Sequence, residues 1–251
     1  MMSRLYIIPC GGLLIDKGIN LTPGYDLGTK IQIPVAAYLV DTEKKLILID
    51  TGFNPLVFED PVAAIGEYIH RNTPQVTPAD HILSRLRQLN LEPKDIDLVV
   101  CTHLHFDHAG GNQFFRNCEI IVQKSEINCA RSTSDYLHHD WDHVDLTYRE
   151  IEGDWEIIPG VDLISTPGHS AGHQSILVRL PKTGSVLITG DAIAHSDQWN
   201  KGLPGLAVDQ DLFAVSRLKL KQIAEAEQGF ALFSHDPEQW STLKYLPAYY
   251  E

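Results

Sequence analysis

The stretch His103-Leu104-His105-Phe106-Asp107-His108 places three histidines and an aspartate within six residues, directly after an apolar run at 96–101. Burying such side chains for packing alone would be costly, because each imidazole or carboxylate needs a polar partner. Metal ions are suitable partners. A strand at 96–101 would end where His103 and His105 can point to one metal while Asp107 and His108 reach a second. Imidazole nitrogen and carboxylate oxygen suit zinc, and also iron, cobalt or manganese.

Three more candidate ligands follow apolar runs elsewhere in the chain. His169 ends Thr166-Pro167-Gly168-His169, Asp191 ends Thr189-Gly190-Asp191, and His235 follows the run at 230–234. A single histidine is more often a surface residue or a hydrogen-bonded core residue than a ligand. The complete set in one repeated context, an apolar strand followed by a polar ligand, instead predicts a site for two divalent metal ions.

The spacing of apolar residues predicts the fold. Strands are expected at 5–8, 35–40, 45–49 and 96–101, and again at 119–123, 155–158, 161–165, 174–180, 185–189 and 230–234. Helices are expected at 78–89, with Thr77 as a cap and Pro78 in the first turn, and at 212–226. Strands and helices in both halves predict an α/β sandwich of two face-to-face mixed sheets with helices on the outer faces.

The chain shows no linker, repeat or low-complexity segment, so we expect one domain over 1–251, built from two similar halves at approximately 1–150 and 151–251. Polar stretches at 54–75 and 132–149 are longer than ordinary connections and are candidates for pocket walls.

Composition limits the partners. The formal net charge is −13, from 33 acidic and 20 basic residues, which disfavours nucleic acid and acidic lipid. The four cysteines form no CxxC pair, which favours a reducing compartment. The early apolar run at 6–8 is too short for a signal peptide, and no run approaches the ~20 apolar residues of a membrane span. We therefore expect a soluble, cytoplasmic protein that acts on a small molecule, with homodimer formation left open.

The run at 103–108, together with the distal histidines and aspartate, resembles the metallo-β-lactamase superfamily over nearly the whole chain. The resemblance implies the αβ/βα sandwich of that family and assigns the ligands. One metal would be held by His103, His105 and His169, the other by Asp107, His108 and His235, and Asp191 would bridge the two metals.

Two further residues are candidates for supporting the metal ligands, the first of them by the same resemblance. Asp50, in Leu48-Ile49-Asp50-Thr51-Gly52, matches the family's aspartate that orients metal-bound histidines, although a simple turn aspartate is an alternative. His173, four residues after His169, fits a supporting role better than that of a ligand.

Local segments resemble the N-acyl-homoserine lactone lactonases in particular. These segments are Ile7-Ile8-Pro9-Cys10-Gly11, the run at 102–112, Ile151-Glu152-Gly153-Asp154 and the run at 166–175. The resemblance implies that a hydroxide between two metals, most simply Zn²⁺, attacks the lactone carbonyl. Asp107 would carry the proton to the leaving alkoxide. Phe106 would either touch the acyl chain or pack beneath the site.

The sequence departs from those lactonases at one position. They usually carry a tyrosine three residues after the bridging aspartate, where this chain has Ala194. His195 could take over as hydrogen-bond donor and catalytic residue, or it could be an exposed loop residue. Another lactone, such as a pyridoxine-derived one, therefore remains an alternative substrate, and a non-catalytic metal-binding module remains an alternative class.

A second histidine-rich segment, His138-His139-Asp140-Trp141-Asp142-His143, lacks a strand or tight turn to fix its geometry. The segment favours a solvated loop over a third metal site or a pocket rim.

Overall fold

The computed structural model describes residues 3–251. Strands of the first half are β1 Arg4–Asp16, β2 Lys30–Asp41, β3 Leu46–Ile49, β4 Asn72–Gln75, β5 Leu98–Val100, β6 Glu119–Gln123 and β7 Thr147–Ile151. Those of the second half are β8 Trp155–Ile158, β9 Val161–Ser165, β10 Gln174–Leu180, β11 Gly184–Gly190 and β12 Phe230–Phe233. Within the described residues they form a seven-stranded sheet of order β4-β1-β2-β3-β5-β6-β7 and a five-stranded sheet of order β12-β11-β10-β9-β8.

Within residues 3–251 the chain forms nine α-helices, several of which pack on the outer faces of the two sheets. They are α1 Lys17–Asn20, α2 Pro61–Ile65, α3 Ile82–Arg87, α4 Phe106–Ala109, α5 Lys124–Ser132, α6 His138–Trp141, α7 Ser196–Asn200, α8 Gln210–Glu227 and α9 Pro237–Trp240. Across residues 3–251, none of the helices combines the length and the apolar character that crossing a bilayer requires.

Alternating side chains along the strands bury both faces of each sheet. On β3, Ile47 and Ile49 pack between the sheets, whereas Leu48 packs beneath the outer helices. On the other outer face, Leu220 of α8 packs against Leu187 of β11. The predicted sandwich of two face-to-face mixed sheets is confirmed. The sheets separate between β7 and β8, close to the expected division at 150, while the single-domain organisation stays a prediction.

The predicted elements differ from the observed ones in several places, and β4, β7 and α5 have no counterpart among the predicted elements. β1 extends to Asp16 because a bulge between Pro9 and Gly12, with Gly11 at φ +95°, lets the strand continue through residues that resemble a turn. The helix expected at 78–89 is wrong in extent, since a 3₁₀ turn at Pro78–Asp80 precedes α3. Extended backbone at His81 separates the two.

Strand direction brings the candidate ligands to one place. β3 and β5 are parallel, so Asp50 and the segment from Thr102 leave the first sheet at the same edge. β11 and β12 are parallel as well, and β9 and β11 both pair antiparallel with β10. The carboxyl ends of β9, β11 and β12 therefore share one edge of the second sheet, where His169, Asp191 and His235 follow.

Candidate metal centre

Three imidazole nitrogens converge at the end of β5. His105 Nδ1 lies 2.9 Å from His103 Nε2 and 3.1 Å from His169 Nε2. Burial, reinforced by the neighbouring imidazoles, holds the pKa of His103 and of His105 well below its usual value, so both rings are neutral. The Nδ1 of His169 is 2.8 Å from the carbonyl of Leu206, to which it donates when Nε2 carries the lone pair. This set is a suitable donor set for a divalent metal.

A second set lies beside the first. His108 Nε2 is buried and has no hydrogen-bond partner, and it faces Asp107 Oδ2 at 3.7 Å. His235 Nε2 is 3.6 Å from the same oxygen, while its Nδ1 is 2.8 Å from the carbonyl of Pro34. A buried ring nitrogen that has no hydrogen-bond partner and faces a carboxylate is in the environment that a metal ligand requires.

Asp191 lies between the two sets. Its Oδ2 is 3.3 Å from His169 Nε2, and its Oδ1 is 3.2 Å from His235 Nε2 and 3.5 Å from His108 Nε2. Burial opposes ionisation, but His235, His108 and His169 hold the pKa of this carboxyl well below its usual range. The two oxygens of one ionised carboxylate thus face different sets of nitrogens, as a bridging ligand requires.

Charge in the second set favours a cation. Burial acts to lower the pKa of His108, yet the carboxylates of Asp107, Asp191 and Asp50 raise it to about 10. The same surroundings stabilise positive charge on a bound ion. Ligand atoms within 4.8 Å of one another define three groups: His103, His105 and His169; His103, His108 and Asp191; and Asp107, His108 and His235. The donor sets and their charge fit two divalent metal ions.

Asp50 orients His108 from below the site. Its Oδ2 lies 2.8 Å from His108 Nδ1 and accepts a hydrogen bond from Thr102 Oγ1 at 2.8 Å, while Oδ1 accepts from the Thr102 backbone N–H at 2.7 Å. Asp50 adopts φ +57°, an uncommon conformation that these contacts stabilise. A simple turn aspartate would make none of these contacts with His108. No sequence pattern predicts that Thr102 donates these two hydrogen bonds to Asp50.

His173 supports Asp191 rather than joining the ligands. The backbone N–H of Asp191 donates to His173 Nε2 at 2.9 Å, so the ring proton lies on Nδ1, 2.9 Å from Thr166 Oγ1. Burial lowers the pKa of His173 to about 3, which keeps the ring neutral. Gly190 has φ +53°, and a Cβ there would come within 2.6 Å of His173 Nε2, so this close approach requires glycine.

His195 lies apart from the metal ligands. It is only 5% exposed, so the alternative of an exposed loop residue is wrong. Its Nδ1 accepts from the backbone N–H of Asp197 at 3.1 Å and caps α7. Ala194, not His195, lines the neighbouring cavity. The side chain is therefore engaged elsewhere, and its placement does not support the catalytic role expected from the sequence.

A cavity of about 120 Å³ opens beside the two ligand sets, and His105, Asp107, His169, Asp191 and His235 contribute to its wall. Phe106 lines it as well, and its ring packs 5.4 Å from that of Tyr68. Phe106 thus both packs beneath the site and faces the cavity.

The two polar stretches differ in their relation to this cavity. The stretch at 54–75 contributes Tyr68, Arg71 and Asn72 to the wall, as a pocket wall would. No residue of 132–149 is among the lining residues.

The histidine-rich segment at 138–143 is not a solvated loop throughout. It forms α6, in which Asp140 is 1% exposed and Trp141 is buried. Within residues 3–251, none of the groups with metal-ligand geometry includes a histidine of this segment. The segment packs Asp140 and Trp141 inward, leaves Asp142 exposed and keeps its three histidines outside the metal centre.

Asp140 makes stability depend on pH. Burial raises the pKa of its carboxyl to about 8, so between roughly pH 4 and pH 8 the folded chain keeps a proton that the unfolded chain loses. The contribution of this group to the free energy of unfolding therefore falls as pH rises through that window. We expect Asp140→Asn to flatten this decline in urea unfolding curves. Asp142→Asn changes an exposed neighbour and should keep the slope of the unaltered chain. If the unaltered chain and both variants show the same dependence of unfolding free energy on pH, Asp140 is not the group responsible.

Comparison with known proteins identifies the family. The family model described as the metallo-beta-lactamase superfamily matches residues 32–242. The chain belongs to this superfamily. An N-acyl homoserine lactonase from a Bacillus species is 36% identical to this superfamily member over 252 residues, covering 99% of both chains. An N-acyl homoserine lactonase from Azorhizobium caulinodans is 32% identical over 260 residues, covering 99% of this chain and 98% of the relative.

Solved structures agree with this assignment. An N-acyl homoserine lactone hydrolase, solved with the product N-hexanoyl-L-homoserine at its catalytic metal centre, is 35% identical to this superfamily member. It superposes with a TM-score of 0.94, and all of both chains is covered. A Bacillus thuringiensis lactonase variant with bound N-decanoyl-L-homoserine also gives a TM-score of 0.94, at 34% identity and full coverage of both chains. The αβ/βα sandwich implied by the sequence is thereby confirmed.

Proposed function

We propose that this chain opens the lactone ring of N-acyl homoserine lactones by hydrolysis, with two divalent metal ions, most simply Zn²⁺, bound at the ligand sets described above. The observation that carries the proposal is the position of Asp191, whose two carboxylate oxygens face separate nitrogen sets at the wall of a cavity. Full-length similarity to lactonases supports the choice of substrate.

His103, His105 and His169 would hold one ion, Asp107, His108 and His235 the other, and Asp191 would bridge them. Two ions at such a site supply a nucleophile at neutral pH and stabilise negative charge that develops on a carbonyl oxygen.

The remaining chemistry falls to the side chains. Asp107 lines the cavity beside His108 and His235, where it can accept the proton that the attacking water gives up and pass it to the ring oxygen as the carbonyl carbon–oxygen bond of the ring breaks. Asp50 and His173 hold His108 and Asp191 in place through hydrogen bonds.

The apolar part of the cavity suits an acyl chain. Leu13, Leu21, Ile33 and Phe106 line it together with the metal-ligand residues. An acyl group that packs against these side chains would place the lactone ring next to Asp107 and Asp191. The lining therefore offers apolar side chains for the acyl group and polar side chains for the lactone ring.

The test is a hydrolysis assay of the metal-loaded protein on a panel of N-acyl homoserine lactones, a pyridoxine-derived lactone and simple esters. We expect ring opening of the N-acyl homoserine lactones, detected as the addition of one water by mass spectrometry. If only another lactone is hydrolysed, the proposed substrate is wrong, whereas the proposed metal site still stands. Stoichiometric metal binding with no turnover of any substrate would instead support a non-catalytic module.

Ala194 is the position at which the lactone preference should be decided. It is buried and lines the cavity, where the resembling lactonases carry a tyrosine. We expect Ala194→Tyr to have a kcat/KM for N-acyl homoserine lactones about 3–10-fold above that of Ala194→Phe, the value of one hydrogen bond to substrate. The phenylalanine variant controls for the volume of the ring. Equal values for the two variants would show that a hydroxyl at this position contributes nothing.

A further inference from the structure

A carboxylate outside the predicted site connects the two chain segments that supply His103, His105 and His169. Glu126 lies on α5 and is 0% exposed, although the exposed Lys124, Ser125 and Asn128 make this helix polar. Within residues 3–251, no Lys, Arg or His forms an ion pair with Glu126. A buried carboxylate without a cation depends on hydrogen-bond donors, and their positions show which parts of the chain it holds.

Those donors come from both segments. Glu126 Oε1 accepts from the backbone N–H of Leu104 at 3.0 Å, between His103 and His105. Its Oε2 accepts from Ser170 Oγ at 2.8 Å and from the backbone N–H of Gly172 at 2.7 Å, just after His169. One rigid carboxylate thus sets the distance between a segment of the first sheet and a segment of the second.

The packing at this junction is close. A Cβ on Gly172 would lie 2.3 Å from the backbone nitrogen of Glu126, so only glycine lets the segment after His169 approach α5. The hydrogen bonds of Glu126 and the close approach of Gly172 together fix the distance between α5 and the segment after His169.

We propose that Glu126 is the positioning residue of the metal site formed by His103, His105 and His169. It holds the two segments so that their three imidazole nitrogens converge. Asp50 has the corresponding role for the other site, where it contacts His108 directly. The inference rests on the proposed function only in requiring that the two ligand sets bind metal.

The test measures metal affinity at each site separately, with cobalt(II) or zinc added to the metal-free full-length chain and a chelator as competitor. His235→Ala leaves the site of His103, His105 and His169 intact, and His169→Ala leaves the other site. In the His235→Ala background, we expect Glu126→Gln to weaken binding by about 10–100-fold, the range seen when a residue that supports metal ligands is removed. In the His169→Ala background, the same change should alter affinity by less than about threefold.

Asp50→Asn is the matched control, with the opposite expected pattern across the two backgrounds. If Glu126→Gln does not fold, Ser170→Ala removes one donor to Oε2 and should give a smaller loss confined to the same site. Equal losses at both sites, or none, in folded variants would overturn the proposal while leaving the proposed lactonase activity standing. Failure of the unaltered chain to bind any metal would overturn both.

Discussion

Replacing Asp191 by asparagine should lower kcat/KM for N-acyl homoserine lactones by roughly 10³-fold, beyond the ~10–100-fold cost of losing a supporting residue. Asparagine keeps the shape but removes the charge that the nitrogens of His169, His108 and His235 surround. One neutral amide oxygen cannot serve both ligand sets. Metal analysis of the purified variant should therefore find fewer ions per chain than in the unaltered protein.

The control for this substitution is Asp211→Asn, which makes the same chemical change at an exposed position on α8. It should retain kcat/KM within about twofold, as expected for a surface substitution. If Asp191→Asn keeps both its activity and its metal content, Asp191 is not the bridging ligand and the two-metal assignment fails.

Removing the metals should abolish hydrolysis and also destabilise the fold. The ligand sets bring buried carboxylates and imidazoles into contact, including His108 Nε2 with no hydrogen-bond partner, and a bound ion satisfies them. Ions present at ~100 times their dissociation constant stabilise a protein by about 3 kcal/mol. For a chain of this size, the expected fall in Tm on chelation is roughly 6–12 °C.

Calorimetry and the lactone assay check this expectation on the same sample. Chelator saturated with zinc beforehand is the control and should change neither Tm nor turnover. Adding Zn²⁺ back should restore both, whereas Mg²⁺ should restore neither, because it prefers oxygen ligands over imidazole. Turnover that survives complete metal removal would rule out the proposed metal chemistry.

Sequence and structure contributed differently to the fold. The strands at 119–123, 155–158, 161–165 and 174–180 agree with β6, β8, β9 and β10, because apolar strands bounded by turn residues have a strong local pattern. The segment at 78–89 has the apolar spacing of a helix, but the structure divides it into a 3₁₀ turn at Pro78–Asp80 and α3. Asp80 accepts hydrogen bonds from Thr77 and pairs with Arg85 at 2.6 Å, which favours a separate first turn.

The sequence by itself determined which residues could bind metal, because histidines and aspartates that follow apolar strands are recognisable locally. Only the tertiary structure decided what supports them. Glu126 belongs to a polar helix that looks solvent-exposed, and its burial depends on donors from Leu104, Ser170 and Gly172, far away in the chain. Hydrogen-bond partners distant in sequence meet only when the two sheets pack, and no local pattern encodes them.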